Sequence, residues 1–78
     1  TAPRLRQAIL DLLAEDPPRE IRVDLAEVSL LDSTGVAVLI DTYKRAKTRG
    51  VTLTVEHPQP IVHRVLEICG LLEILTQP

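Results

Sequence analysis

The sequence predicts an α/β domain of two layers, because helical and strand periodicities alternate along it and because both strands are apolar on one face only. Residues 3–15 and 33–49 repeat apolar side chains every three or four positions, whereas Ile21, Val23 and Leu25, and later Val51, Leu53 and Val55, alternate with polar or small residues. Strand, helix and strand with short connections form a βαβ unit, whose strands run parallel through a right-handed crossover. Sheets covered on both faces have continuously apolar strands, so the alternation puts the helices on one face. Arg22, Asp24, Thr52 and Thr54 then line the other.

The first helix starts with Pro3 in its opening turn after Thr1, and it carries Leu5, Ala8, Ile9, Leu12 and Leu13 as its apolar stripe. Asp16-Pro17-Pro18 stops it. The first strand follows, then a loop over residues 27–32. The helix over residues 33–49 presents Val36, Leu39, Ile40, Tyr43 and Ala46, and ends on Lys47, Arg49 and Gly50, the cations and glycine that helix C-termini favour. After the second strand, Pro60 opens a third helix with Ile61, Val62, Val65, Leu66 and Cys69 on its stripe and Gly70 at its end. Cys69 is thereby expected in the core and His63 on the polar side. Residues 71–75 are expected to form a short terminal strand or turn.

With 78 residues there is room for one domain, and by size scaling it buries only about 60% of its unfolded surface. Phe, Trp and Met are absent and Tyr43 is the single aromatic residue, so the core is aliphatic. Nine basic and eleven acidic side chains give a net charge of −2, which supplies no field to attract nucleic acid or an anionic membrane. One aromatic ring offers no platform for stacking bases. No apolar run approaches the roughly 20 residues of a membrane span, and no signal peptide is visible. Cys69 alone cannot form an internal disulfide and fits a reducing compartment, so the domain is expected in the cytoplasm.

Chemistry concentrates at Leu31-Asp32-Ser33-Thr34-Gly35, between the first loop and the second helix. The first N–H groups of a helix have no partner within it and sit at the positive end of its dipole. Asp and Ser there are either a helix cap or a site that tolerates a phosphate. Loops that leave parallel strands at their carboxyl ends emerge on one edge of the sheet. Residues 27–32 and 56–60 are such loops, so Asp32, Ser33, Thr34 and Gly35 are expected to share a surface with His57 and Gln59. A catalytic alternative has Ser33 as nucleophile and His57 or His63 as base, yet there is no Gly-rich phosphate loop and no nucleophile elbow. His57, His63 and Cys69 lack the paired spacing of zinc ligands. Neither an enzyme, a cofactor nor a metal is expected.

After the strand Arg22-Val23-Asp24-Leu25, the run Val28-Ser29-Leu30-Leu31-Asp32-Ser33-Thr34-Gly35-Val36-Ala37-Val38-Leu39 resembles the STAS domain of anti-sigma factor antagonists. The likeness continues through Tyr43-Lys44-Arg45-Ala46-Lys47, residues 50–55 and residues 61–72 with their Cys69-Gly70-Leu71 ending, covering nearly the whole chain. It implies a STAS-like sandwich with helices packed on one face of a mixed, partly parallel sheet. It further implies that Ser33 is phosphorylated by a partner that is both anti-sigma factor and serine kinase, with Thr34 as a secondary acceptor. The unphosphorylated form engages that partner and frees the sigma factor, and a PP2C-type phosphatase resets the switch. Asp32 then holds the turn or meets the partner through its carboxylate, and Gly35 either admits the kinase or packs the helix. Family members carry a strand pair before the first helix, so residues 1–78 are expected to be a single domain lacking about 25 residues of it, with one sheet edge to be covered. The same resemblance allows an unphosphorylated STAS-type scaffold subunit of a stress-sensing or lipid-transport assembly, in which the motif is only a cap. Lys44, Arg45, Lys47 and Arg49 suit either reading, and nothing in the sequence fixes an oligomeric state.

Overall fold

The structure, a computed structural model, describes residues 2–76. Its elements in order are α1 (Ala2–Ala14), β1 (Glu20–Asp24), α2 (Ser33–Thr48), β2 (Thr52–Glu56), α3 (Pro60–Ile68) and α4 (Leu72–Thr76). The strands are parallel, with Glu20 opposite Thr52 and Asp24 opposite Glu56, and α2 is the crossover between them. This pair is the whole sheet among the described residues, so the antiparallel part of the expected mixed sheet is not among them.

The two-layer expectation follows from burial along the strands. Ile21, Val23, Leu53 and Val55 are buried, whereas Glu20, Arg22, Asp24 and Thr52 are exposed on the opposite face. On that wet face Arg22 bridges Glu20 and Glu56, the latter at 3.5 Å. Its hydrogen bond to Glu20, helped by the charges of both carboxylates, pushes the guanidinium pKa further up. All six elements supply one aliphatic core, including Ile9 and Leu13 of α1, Leu39 and Ala46 of α2, Val62 and Leu66 of α3 and Leu75 of α4.

The helix faces depart in part from their expected stripes. In α2 the buried positions include Val38 and Thr42, while Val36, Ile40 and Tyr43 are half-buried, so the buried line is rotated toward Val38 and Thr42. Thr42 is tolerated there because its hydroxyl donates to the Val38 carbonyl at 2.7 Å, which leaves no unpaired polar atom in the core. In α1 Leu12 and Ala8 are exposed, and in α3 Ile61 is exposed. Cys69 is also exposed, contrary to expectation. It is the C-cap of α3, its N–H still donating to the Val65 carbonyl at 3.0 Å, and the buried line of the helix runs through Val62 and Leu66 and stops before it.

Two helices end in the same way. Gly50 and Gly70 both have φ of +72°, which only glycine adopts without steric cost. At the end of α2 the Gly50 N–H donates to the Lys47 carbonyl at 3.1 Å and Val51 to Ala46 at 2.9 Å; after α3, Gly70 donates to Glu67 at 3.1 Å and Leu71 to Leu66 at 2.9 Å. These are Schellman caps, and the accompanying apolar pairs Val51 with Ala46 and Leu71 with Leu66 are buried.

Residues 71–75, expected as a strand or turn, instead lead into α4. Leu71 and Leu75 are both buried, and the Leu75 N–H donates to the Leu71 carbonyl at 2.9 Å. A strand would put Glu73 on the same face as those two leucines, whereas helical spacing buries both and leaves Glu73 in water.

Candidate functional site

Asp32 ends the β1–α2 loop in an extended conformation, with φ −93° and ψ −176°. Its Oδ1 accepts from the Gly35 N–H at 3.0 Å, and its backbone carbonyl accepts from Val36 at 3.0 Å. Asp32 is therefore the N-cap of α2, and Ser33 and Thr34 are its first two helical residues. Both are exposed. Their N–H groups lie in the first turn, beyond the reach of any helical carbonyl, and that turn contains no acidic residue of its own. Ser33 thus directly follows the Asp32 cap, in a turn whose first amides have no helical acceptor.

Gly35 is buried. A Cβ placed on it would lie 2.6 Å from Leu31 Cδ1, well inside van der Waals contact. The missing side chain lets the loop fold down over the helix terminus, with Leu31 half-buried against it and Leu30 exposed beside it. This packing between loop and helix is a contact that local cap chemistry did not reveal.

The β2–α3 loop meets the β1–α2 loop, through Asp24 and Ala26. Gln59 Nε2 donates to the Ala26 carbonyl at 2.6 Å, and His57 Nδ1 lies 3.5 Å from Asp24 Oδ1. Asp24 Oδ1 also accepts from the Ala26 N–H at 2.9 Å. His57 and Gln59 therefore stand on the expected sheet edge, joined to the base of the loop whose other end carries Asp32 and Ser33. Among the described residues neither His57 nor His63 hydrogen-bonds Ser33, and no group of three or more His, Cys, Asp or Glu gathers as a metal site.

A groove of about 760 Å³ opens on the other side of the turn, between the first turn of α1, the outer side of β1 and the β1–α2 loop. Leu5, Val23, Leu25, Val28 and Leu31 form its apolar walls, Asp32 and Thr34 also line it, and His57 and Gln59 take no part in it. The strand beside it has an open edge. Leu25 donates to Glu56 at 2.9 Å and Thr52 to Arg19 at 3.0 Å, so the odd-numbered residues of this stretch bond β2. In a parallel ladder the intervening residues, Glu20, Arg22 and Asp24, direct their backbone groups the other way. No described strand meets them there. No helix among the described residues is long and apolar enough to cross a membrane.

Comparison with known proteins gives this geometry a context. A family model described as STAS domain matches residues 1–78. The anti-sigma-B factor antagonist of Bacillus subtilis (strain 168) is 33% identical over 75 residues, which are 96% of this chain and 67% of that protein. Its namesake in Listeria monocytogenes is 33% identical over 96% of this chain and 65% of that protein, and the one in Staphylococcus aureus is 31% identical over 96% and 68%. The chain spans about two thirds of the length of these relatives.

Proposed function

This chain belongs to the STAS domain family, and from that premise we propose that it acts as an anti-sigma factor antagonist whose state is set at Ser33. Unphosphorylated, it binds an anti-sigma factor that is also a serine kinase and so frees the sigma factor. Phosphorylation of Ser33 ends the interaction, and a PP2C-type phosphatase restores it. The protein works in the cytoplasm by binding and performs no catalysis of its own.

The observation that carries the reading is the exposed Ser33 at the first position of α2, directly after the Asp32 cap. A phosphate there adds a charge of about −1.5 to −2. On the free domain it is attracted by the helix N-terminus by roughly 0.3–1 kcal/mol and repelled by Asp32 by a comparable amount in water, so the fold tolerates it. A partner that covers the turn removes that water. Two adjacent anions must then be desolvated together, which costs several kcal/mol and is enough to abolish binding. Asp32, Thr34 and His57 complete the partner-facing surface, with Thr34 as the secondary acceptor, while Gly35, buried under Leu31, and Gln59, bonded to Ala26, support it from beneath.

The test is a binding titration of the anti-sigma kinase with the unmodified protein, Ser33→Ala and Ser33→Asp. Retained affinity in Ser33→Ala with a loss of about tenfold or more in Ser33→Asp is expected, since tenfold corresponds to only about 1.4 kcal/mol. Equal affinity in all three favours the constitutive scaffold instead.

The groove beside β1 supports a second assignment within the same reading. An apolar wall next to a strand with unpaired backbone groups suits one more strand, and we propose it as the seat of the strand pair that the family resemblance puts ahead of α1.

A further inference from the structure

We propose that Gln59 is a positioning residue that ties α3 to the base of the Ser33-bearing loop and thereby fixes the surface offered to the partner; this rests on the antagonist reading. Gln59 stands at the N-cap of α3, with φ −64° and ψ 157°, but its side chain makes no capping hydrogen bond. Gln is not among the residue types that cap well, and Pro60 at the first helical position already removes one unpaired N–H. The amide is used elsewhere. It crosses to the Ala26 carbonyl at 2.6 Å, joining residues 33 positions apart in the chain.

The acceptor is itself held. Asp24 Oδ1 fixes the Ala26 N–H at 2.9 Å, so side chains from the end of β1 and the start of α3 occupy the two backbone groups of Ala26. On the opposing loop His57 has φ +54°, a conformation that a residue with a side chain rarely adopts, and it faces Asp24 at 3.5 Å. That bend leads through Pro58 to Gln59 and sends its side chain toward β1. Beyond Ala26 the loop has few fastenings: Val28 N–H donates to Leu25 at 3.0 Å, and the next described backbone or side-chain bond is the Asp32 cap. Ala26 and Asp32 thus hold the two ends of the segment that carries Leu30 and Leu31, while Val28 and Leu31 pack it on the core between them.

Two variants separate this tie from a capping role. Gln59→Ser places a better cap at α3 but cannot reach Ala26, and Gln59→Glu keeps the shape of the side chain but has no donor. The experiment is amide hydrogen exchange on the free protein, followed by titration with the anti-sigma kinase. Both variants are expected to lower the melting temperature by no more than a few degrees, to accelerate exchange of the Val28 amide, the one hydrogen-bonded amide described between Ala26 and the Asp32 cap, by about threefold or more, and to weaken partner binding to a similar degree. Unchanged loop exchange in both variants overturns the proposal. Unchanged exchange with weakened binding also overturns it, because Gln59 then acts by touching the partner. If the unaltered protein binds no anti-sigma kinase, the antagonist reading fails, while faster loop exchange in the variants still upholds the tie.

Discussion

Asp32 combines two properties that substitution can separate: an oxygen that caps α2 and a negative charge beside Ser33. Asp32→Ala removes both and is expected to cost about 1 kcal/mol, or roughly 4–8 °C in melting temperature for a domain of this size. Asp32→Asn keeps a capping oxygen and loses the charge, so its melting temperature should stay near that of the parent. Full partner binding by Asp32→Asn would show that the carboxylate serves only the helix, whereas weakened binding at unchanged stability would assign it to the partner. The position of this cap was legible from the sequence because capping is local chemistry between residues three apart, and Asp32 does accept from Gly35. The contact of Leu31 with Gly35 and the bond from Gln59 to Ala26 were not legible. Both depend on the path of a loop in space, and no periodicity encodes it. The one hint was a poor capping residue placed just before Pro60.

At the scale of elements, the strands and the three longer helices follow from their patterns, and the exceptions have tertiary causes. The five-residue α4 has too few residues to be stable alone and forms because the core accepts Leu71 and Leu75 together. The stripe of α2 turns toward Thr42 because a threonine hydroxyl satisfied by its own helix packs as a small apolar group. Helix ends were more legible than helix faces, since glycine at positive φ leaves a clear mark. Gly50→Ala and Gly70→Ala meet no neighbouring atom, so each should lose about 1 kcal/mol through backbone strain alone, measurable by chemical denaturation. Between α1 and α2, Asp41 receives Arg6 at 2.7 Å and Arg45 at 3.1 Å. The Arg45 hydrogen bond, with the charges of Arg45 and Arg6, holds the Asp41 carboxyl below the usual carboxylate range. A pKa lowered by folding contributes stability that is complete above the ordinary carboxylate pKa and is lost as the pH falls through the lowered value. Melting temperature followed from pH 7 down to about pH 2 should therefore decline less steeply in Asp41→Asn than in the parent, by a small amount because the group is exposed.

For the whole molecule, a two-stranded parallel sheet with helices on one face leaves the outer edge of each strand without a partner strand among the described residues and one sheet face to water. The βαβ core was legible because alternation and crossover length both constrain it, while the groove beside β1 came into view only once α1 and the β1–α2 loop were placed around it. The amides of Glu20, Arg22 and Asp24 should exchange quickly in the 78-residue chain and become protected in a chain extended at its N-terminus by a pairing strand; equal exchange in both would remove the strand-pair assignment. Phosphorylation of Ser33 is open to direct reading by intact-mass analysis. The unaltered protein, Ser33→Ala and Thr34→Ala would each be incubated with ATP and the anti-sigma kinase. One added phosphate on the unaltered protein and on Thr34→Ala, with none on Ser33→Ala, is the predicted result. No added mass on the unaltered protein, with a kinase active on another substrate, would contradict the account.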